Sequence, residues 1–419
     1  MTIARRSFVS GLLAAPFAPS LLHARTAPRV VILGGGFGGG TLARALKRAA
    51  PTLSVTLIER ESVVYTCPFS NGVLGGMWAL DRVGFSTDGL RADGIELIRS
   101  DAAAIEPERK TVVLADGSRI SGDVLVLAPG IDFKWSAIEG MSPEAAELLP
   151  HAWKAGRQTQ ILRDQLTAMD DGGLVVVSIP APPFRCPPGP YERISLIAHY
   201  LMHHKPASKI LVLDAQDSFS KQPLFEEAWE ALYPGMIERV PGSASGAVVA
   251  VDAATRRIST GFDDVTADVA NVIPPQTAAR ILIDAGLDEG LGWCPVEPLG
   301  FESRLVKDVY ILGDAALQGD MPKSGFSANV QAKACAASIL ARLEGRAVNP
   351  TKLINVCYSL AAPDYGFSVA DVFIQGPEKV TLLQAEGRIT ALAAGAQAHA
   401  AEAAHAKSWY DTITSEIFG

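Results

Sequence analysis

Three glycines, Gly34, Gly36 and Gly39, are the first residues of the chain whose spacing points to chemistry. In a G-x-G-x-x-G turn the first glycine allows the tight bend, the second lets backbone approach a pyrophosphate, and the third lets helix and strand pack closely. A helix opening on such a turn offers free N–H groups and the positive end of its dipole to phosphate. Glu59 follows Gly39 by 20 positions, at the end of the next apolar run, where a carboxylate can bind ribose hydroxyls. A different chemistry is suggested by the five cysteines, at positions 67, 186, 294, 335 and 357. Cys186 lies in the stiff turn Pro180-Ala181-Pro182-Pro183-Phe184-Arg185-Cys186-Pro187-Pro188-Gly189-Pro190, where Arg185 and the nearby Arg193 would favour a thiolate and hence a redox role. Glu192, six residues beyond Cys186, is a candidate proton acceptor; a salt bridge to Arg193 or plain exposure is the alternative. Cys294 and Cys335 read as structural, and no metal site is expected.

The elements needed to carry these groups follow in order. Arg29 to Leu33 reads as a strand, Gly34 to Gly40 as its turn, Thr41 to Ala49 as a helix and Leu53 to Ile58 as a second strand, a βαβ opening. Asp123 to Gly130 is a further apolar strand. His151 to Met169 reads as a helix, and Leu174 to Ile179 and Lys209 to Asp214 as strands of a second unit. Val309 to Asp314 returns the chain to the first, followed by a helix from Ser327 to Leu343. The expected fold is α/β, with two Rossmann-like dinucleotide-binding domains of the FAD/NAD(P)-binding type plus a C-terminal α+β domain. Residues 25–139 and 276–350 would form a discontinuous FAD-binding domain, 140–275 an inserted NAD-domain-like unit, and 351–419 a C-terminal interface domain. The alanine-rich stretch 391–406 is expected to be a variable excursion. Proline has no N–H for a phosphate and fixes φ, so the 180–190 turn predicts that the insert has lost its NAD site.

Two further elements separate FAD from NAD. Leu127-Ala128-Pro129-Gly130 resembles the interdomain turn of disulfide-reductase-like flavoproteins, and Gly313-Asp314 resembles their second FAD motif, whose aspartate holds the ribityl chain. The following helix would aim its N-terminus at the flavin, and Lys323 could add to that field unless it is an ordinary surface lysine. Together, Tyr65-Thr66-Cys67-Pro68-Phe69-Ser70-Asn71, the decapeptide Phe184 to Arg193, Met321-Pro322-Lys323-Ser324-Gly325 and Asn355-Val356-Cys357-Tyr358-Ser359 resemble the flavoprotein subunit of flavocytochrome c sulfide dehydrogenase. The likeness runs from Pro28 to Ser408-Trp409-Tyr410.

That resemblance implies FAD joined to Cys67 by a thioether and a redox-active disulfide between Cys186 and Cys357, a pairing that spacing cannot give. It implies oxidation of sulfide to zero-valent sulfur or polysulfide, beginning with hydrosulfide attack on the disulfide. It also implies a heterodimer with a c-type cytochrome. The chain has no C-x-x-C-H, so the haem must belong to another polypeptide. Two other functions stay open: a sulfide:quinone oxidoreductase, and a flavoprotein that maintains a thiol carrier in a sulfur-oxidation system.

The bulk properties set limits. The formal net charge of −8 argues against nucleic acid, which needs a basic stripe. Arg5-Arg6 before the apolar stretch Gly11 to Leu22 reads as a twin-arginine export signal over residues 1–24, which places the mature chain in the periplasm. Pro16 and Pro19 interrupt that stretch, and the mature chain has no apolar run of the roughly 20 residues a bilayer span requires.

Overall fold

Five short strands lie parallel in one sheet, in the order Val309–Ile311, Val124–Leu127, Arg29–Leu33, Ser54–Ile58 and Glu96–Ile98. The computed structural model describes residues 28–384 and 387–419; the expected export signal lies outside the described residues. Val30, Val31, Ile32, Leu125 and Val126 are wholly buried, as continuous apolar strands of a parallel sheet covered on both faces should be. Strand order reverses at Arg29–Leu33, so the glycine turn opens at the switch point where such sheets bind ligands.

A second parallel sheet has the order Ile237–Val240, Lys209–Asp214, Leu174–Ile179 and Val269–Val272. Its own switch point lies beyond Leu174–Ile179, which is where the proline-rich turn with Cys186 emerges. The helix Gly189–His204 follows that turn directly. The third unit is antiparallel. Lys352–Ala362 and Tyr365–Gln375 form a long hairpin extended by Val380–Leu382 and Arg388–Ile389, with the helix Ala396–Phe418 against it. The fold is therefore mixed α/β, built on two large parallel sheets and a C-terminal antiparallel one, with five smaller sheets of two or three strands among the described residues.

Three local expectations are corrected. The first helix starts at Phe37 rather than Thr41, because Gly38, Gly39 and Gly40 belong to it as its packing face: a Cβ on Gly39 would stand 1.9 Å from Gly34 O. Only Arg157–Ala168 of the 151–169 stretch is helical. Gly156 (φ 111) and Ala152 (φ 44) break the chain before it, leaving 151–155 as an irregular strap whose carbonyls are free to bond elsewhere. The stretch 391–406 is no excursion beyond Ala396: it begins a helix held at both ends.

Small residues are what seat that helix. Gly366 packs so tightly that a Cβ there would lie 2.5 Å from Ala403 N, and His399 makes a 2.9 Å bond through Nδ1 to Gly366 O. At the far end Arg44, buried in the first helix, donates to Ser415 O, Glu416 O (2.9 Å) and Gly419 O, carbonyls of the last turn of the helix, where the dipole is negative. Gly366→Ala should push the helix off the hairpin and cost about 1–3 kcal/mol, lowering the melting temperature by several degrees. Gly395→Ala, with φ −70 and open space around its Cβ position, meets no clash and should lower the melt by less, through the weaker N-cap alone. Equal melting of the two variants would contradict this packing.

Candidate active site at the cysteine turns

Cys67 sits just before the short helix Ser70–Leu74, in a turn tied back by Ser70 N and Ser70 Oγ, which both donate to Cys67 O (3.1 and 2.7 Å). Cys186 adopts a left-handed backbone (φ 52), gives its N–H to Lys323 O (2.7 Å) and accepts Gly189 N (2.8 Å) on its carbonyl. Its sulfur and the Trp153 ring both crowd Gly189: a Cβ there would meet each at 2.9 Å. Cys357 is on the hairpin strand Lys352–Ala362. All five cysteines are free thiols, and Cys294 and Cys335 lie wholly buried in the apolar core.

Glu192 joins these segments. Asn71 Nδ2 donates to Glu192 Oε2 (2.8 Å), and Leu360 N, three residues after Cys357, donates to Glu192 Oε1 (3.0 Å). Neither alternative of salt bridge or exposure holds: Arg193 turns away, giving Nε to Asn71 Oδ1 (3.0 Å) and its terminal nitrogens to His151 O, Ala152 O and Asn271 Oδ1. Burial raises the Glu192 carboxyl above its usual range, opposed by Asn71 and Leu360 N, so it can hold a proton that an exposed glutamate would lose.

The surroundings of Cys186 oppose the expected thiolate. Burial, with Cys357 and Glu192 adding to it, pushes this thiol well above its ordinary value. The arginines fail to compensate because they are aimed elsewhere. Arg185 donates to Cys67 Sγ (2.8 Å) and Trp153 O and faces Asp314 Oδ2 (3.6 Å), while Arg193 is spent on the strap and the amides. Cys67 also donates to Trp153 O (3.2 Å).

The glycine turn and its partners fit FAD. Gly35 N donates to Glu59 Oε2 (2.7 Å), Glu59 Oε1 accepts Glu61 N (2.9 Å), and a Cβ at Gly36 would meet nothing within 4 Å, which leaves an open cradle at the helix N-terminus. Gly313 takes φ 73, and the buried Asp314 Oδ1 has no hydrogen-bond partner among the described residues, an acceptor suited to a ribityl hydroxyl. Lys323 is no free surface lysine. It donates to Asp314 O (2.9 Å) and Ala316 O (2.6 Å) over the Trp293 ring, and burial lowers its ammonium to about 8. In the second unit Asp214, where a nicotinamide ribose carboxylate would stand, is fully buried and taken by Tyr191 Oη (2.7 Å), Arg239 Nε (2.8 Å) and Gln216 N (2.9 Å).

Family models agree with this geometry. The flavocytochrome c sulfide dehydrogenase flavoprotein chain, central, matches residues 159–274 and its flavin-binding counterpart matches 349–418; a pyridine nucleotide-disulphide oxidoreductase model matches 28–177. The "Sulfide dehydrogenase (flavocytochrome c) flavoprotein chain" of Chlorobaculum thiosulfatiphilum is 53% identical over 45 residues, 94% of that sequence and 11% of this chain. The chain belongs to this flavoprotein family. It is an FAD-dependent oxidoreductase. The mitochondrial sulfide:quinone oxidoreductase of Mus musculus is 21% identical over 326 residues, 73% of this chain and 68% of the relative. The fold is shared with the sulfide:quinone oxidoreductase structure from Aquifex aeolicus (TM-score 0.68, 18% identity, 94% of this chain and 92% of that one).

Asn71, His151, Trp153 and Lys221 belong to the site and carried no expectation. His151 is buried beside Phe133 (ring centroids 4.4 Å), accepts Trp153 N on Nδ1 (2.9 Å), and is lowered from 6.5 to about 3 by burial and then by Arg193, Lys154 and Arg185. Its folded value lies below its unfolded one, so as pH falls through 6.5 the unfolded chain binds this proton first and stability is lost down to about 3. His151→Asn should flatten the pH dependence of urea unfolding in that window by one proton; an unchanged slope would refute the buried neutral imidazole.

Proposed function

We propose that the chain oxidises sulfide to zero-valent sulfur or polysulfide in the periplasm, through a Cys186–Cys357 redox pair and FAD, and delivers electrons to a c-type cytochrome subunit. The observation that carries this reading is the position of Glu192, bonded at once to the segment of Cys67 and to the strand of Cys357, six residues after Cys186.

With Cys186 and Cys357 joined, hydrosulfide attacks one sulfur; a new S–S bond forms, the old one breaks, and its electron pair leaves on the other cysteine as thiolate. The product is a persulfide on one residue and a thiolate on its partner. Glu192 takes the proton of hydrogen sulfide at a carboxylate oxygen, a role suited to a carboxyl raised by burial. Bound FAD supplies the acceptor for the two electrons. Gly34, Gly36 and Gly39 would admit its pyrophosphate, Glu59 the ribose, and Gly313-Asp314 the ribityl chain, while Cys67 would provide the thioether. Lys323 would add positive charge beside it. The filled Asp214 site and the proline turn, whose Arg185 and Cys186 amides are already given to Gln276 Oε1 and Lys323 O, leave nicotinamide without a cradle.

A sulfide:quinone oxidoreductase is the competing reading. Among the described residues no helix is long and apolar enough to cross a membrane, and the terminal helix turns Tyr410, Ile413, Ile417 and Phe418 inward. Purified with its haem subunit, the protein should reduce cytochrome c on adding sulfide. Activity with a quinone analogue and none with cytochrome would establish the competitor. Replacing both Cys186 and Cys357 with serine should leave FAD bound yet abolish sulfide-dependent bleaching of the flavin. After acid precipitation the pellet should be yellow, and colour released to the supernatant would exclude the Cys67 thioether.

A further inference from the structure

Lys221 precedes the helix Gln222–Leu232, in a left-handed conformation (φ 63) at its N-cap. This is the wrong end of a helix for a cation, because the dipole there is positive. It is also the wrong depth: the side chain is only 6% exposed. Its ammonium donates to Cys357 O (2.7 Å) and Ser359 Oγ (2.7 Å) and stands 5.6 Å over the Phe367 ring. Among the described residues no carboxylate forms an ion pair with it, and its third N–H has no acceptor. A buried ammonium with no carboxylate in contact is unfavourable, and Glu192 and Asp371 act on it only from beyond ion-pair distance. Such a charge is retained where an anion develops beside it during a reaction.

The strand supplies that anion. Cys357 and Ser359 are two apart and so point to the same face of Lys352–Ala362, and the ammonium is already bonded to the second of them. The charged and titratable groups around Cys357 are Lys221, Glu192 from the Gly189–His204 helix, Asp371 from the paired strand, and Cys186. Only the first is cationic.

We propose that Lys221 is a positioning residue for sulfur chemistry at Cys357: pinned to the strand by two hydrogen bonds, its ammonium holds the Cys357 sulfur as an anion, thiolate or persulfide, during turnover. The assignment deepens the reading of Cys357 as half of the redox pair and rests on it. Burial raises the Cys357 thiol, and Lys221 is the largest influence against that rise, whereas at Cys186 the larger influences of Cys357 and Glu192 act in the same direction as burial.

The test is iodoacetamide labelling of the reduced, flavin-loaded protein across a pH series, with the Cys357 and Cys186 peptides quantified by mass spectrometry in the same digest. In the wild type Cys357 should ionise at lower pH than Cys186. Lys221→Met should slow Cys357 labelling near neutral pH by about tenfold, equivalent to one pKa unit, with a smaller change at Cys186. Lys221→Arg should restore most of the rate. An unchanged Cys357 profile in Lys221→Met would overturn the proposal. So would ionisation of Cys186 first in the wild type, which decides the matter even if the methionine variant does not fold. Labelling does not depend on sulfide: a protein that shows the shift but oxidises no sulfide refutes the proposed activity alone, and one that oxidises sulfide without the shift refutes only the role of Lys221.

Discussion

A single buried guanidinium holds the site together. Arg193, 2% exposed, reaches Asn71 behind Cys67, the His151 and Ala152 carbonyls of the irregular strap, and Asn271 at the second sheet. The next residue back, Glu192, uses the other end of the same Asn71 amide and the backbone of the Cys357 strand. One dipeptide on one helix therefore fixes three cysteine-bearing segments from distant parts of the chain. Burial lowers the guanidinium to about 10, against the opposing influence of Cys67, Cys186 and Glu192, so its charge persists at neutral pH. Of the four buried acceptors around it, His151 O would keep Asn271 Nδ2 (2.9 Å), but removal would leave Asn71 Oδ1, Asn271 Oδ1 and Ala152 O without this donor, which is more costly than its net contribution as a bond.

The same economy explains why this second unit looks like a nucleotide site and is built as something else. Its switch point carries a cysteine turn instead of a phosphate turn. Tyr191 stacks on Phe219 (3.5 Å) and bonds Asp214, and Arg239 closes the other side of that carboxylate. The parallel sheet survives because it depends on the buried strands; the ligand chemistry at its edge is replaced by side chains that serve the sulfur site.

Much of the scaffold was legible because its signals are local. Arg29 to Leu33 and Lys209 to Asp214 are strands with the bounds their apolar runs suggest, and Gly34 and Gly39 have steric jobs that glycine alone can do, while Gly36 leaves the cradle open. The ionisation of Cys186 was not legible. Arg185 is its neighbour in sequence but is turned to Cys67 and Asp314, a choice set by tertiary contacts. The terminal helix was misjudged because alanines carry little pattern; its packing is written in Gly366, across the hairpin. Lys221 had a readable signal, a cation at a helix start, but the reason for it lies 136 positions away.

The central claim is that sulfide enters through the Cys186 and Cys357 pair before electrons reach the flavin. Its most direct test is mass spectrometry of the oxidised holoprotein quenched with an alkylating agent after anaerobic addition of one equivalent of sulfide. One additional sulfur atom should be found on the peptide of Cys186 or of Cys357, with the other cysteine alkylated. Flavin reduction with no added sulfur on either peptide would contradict the account.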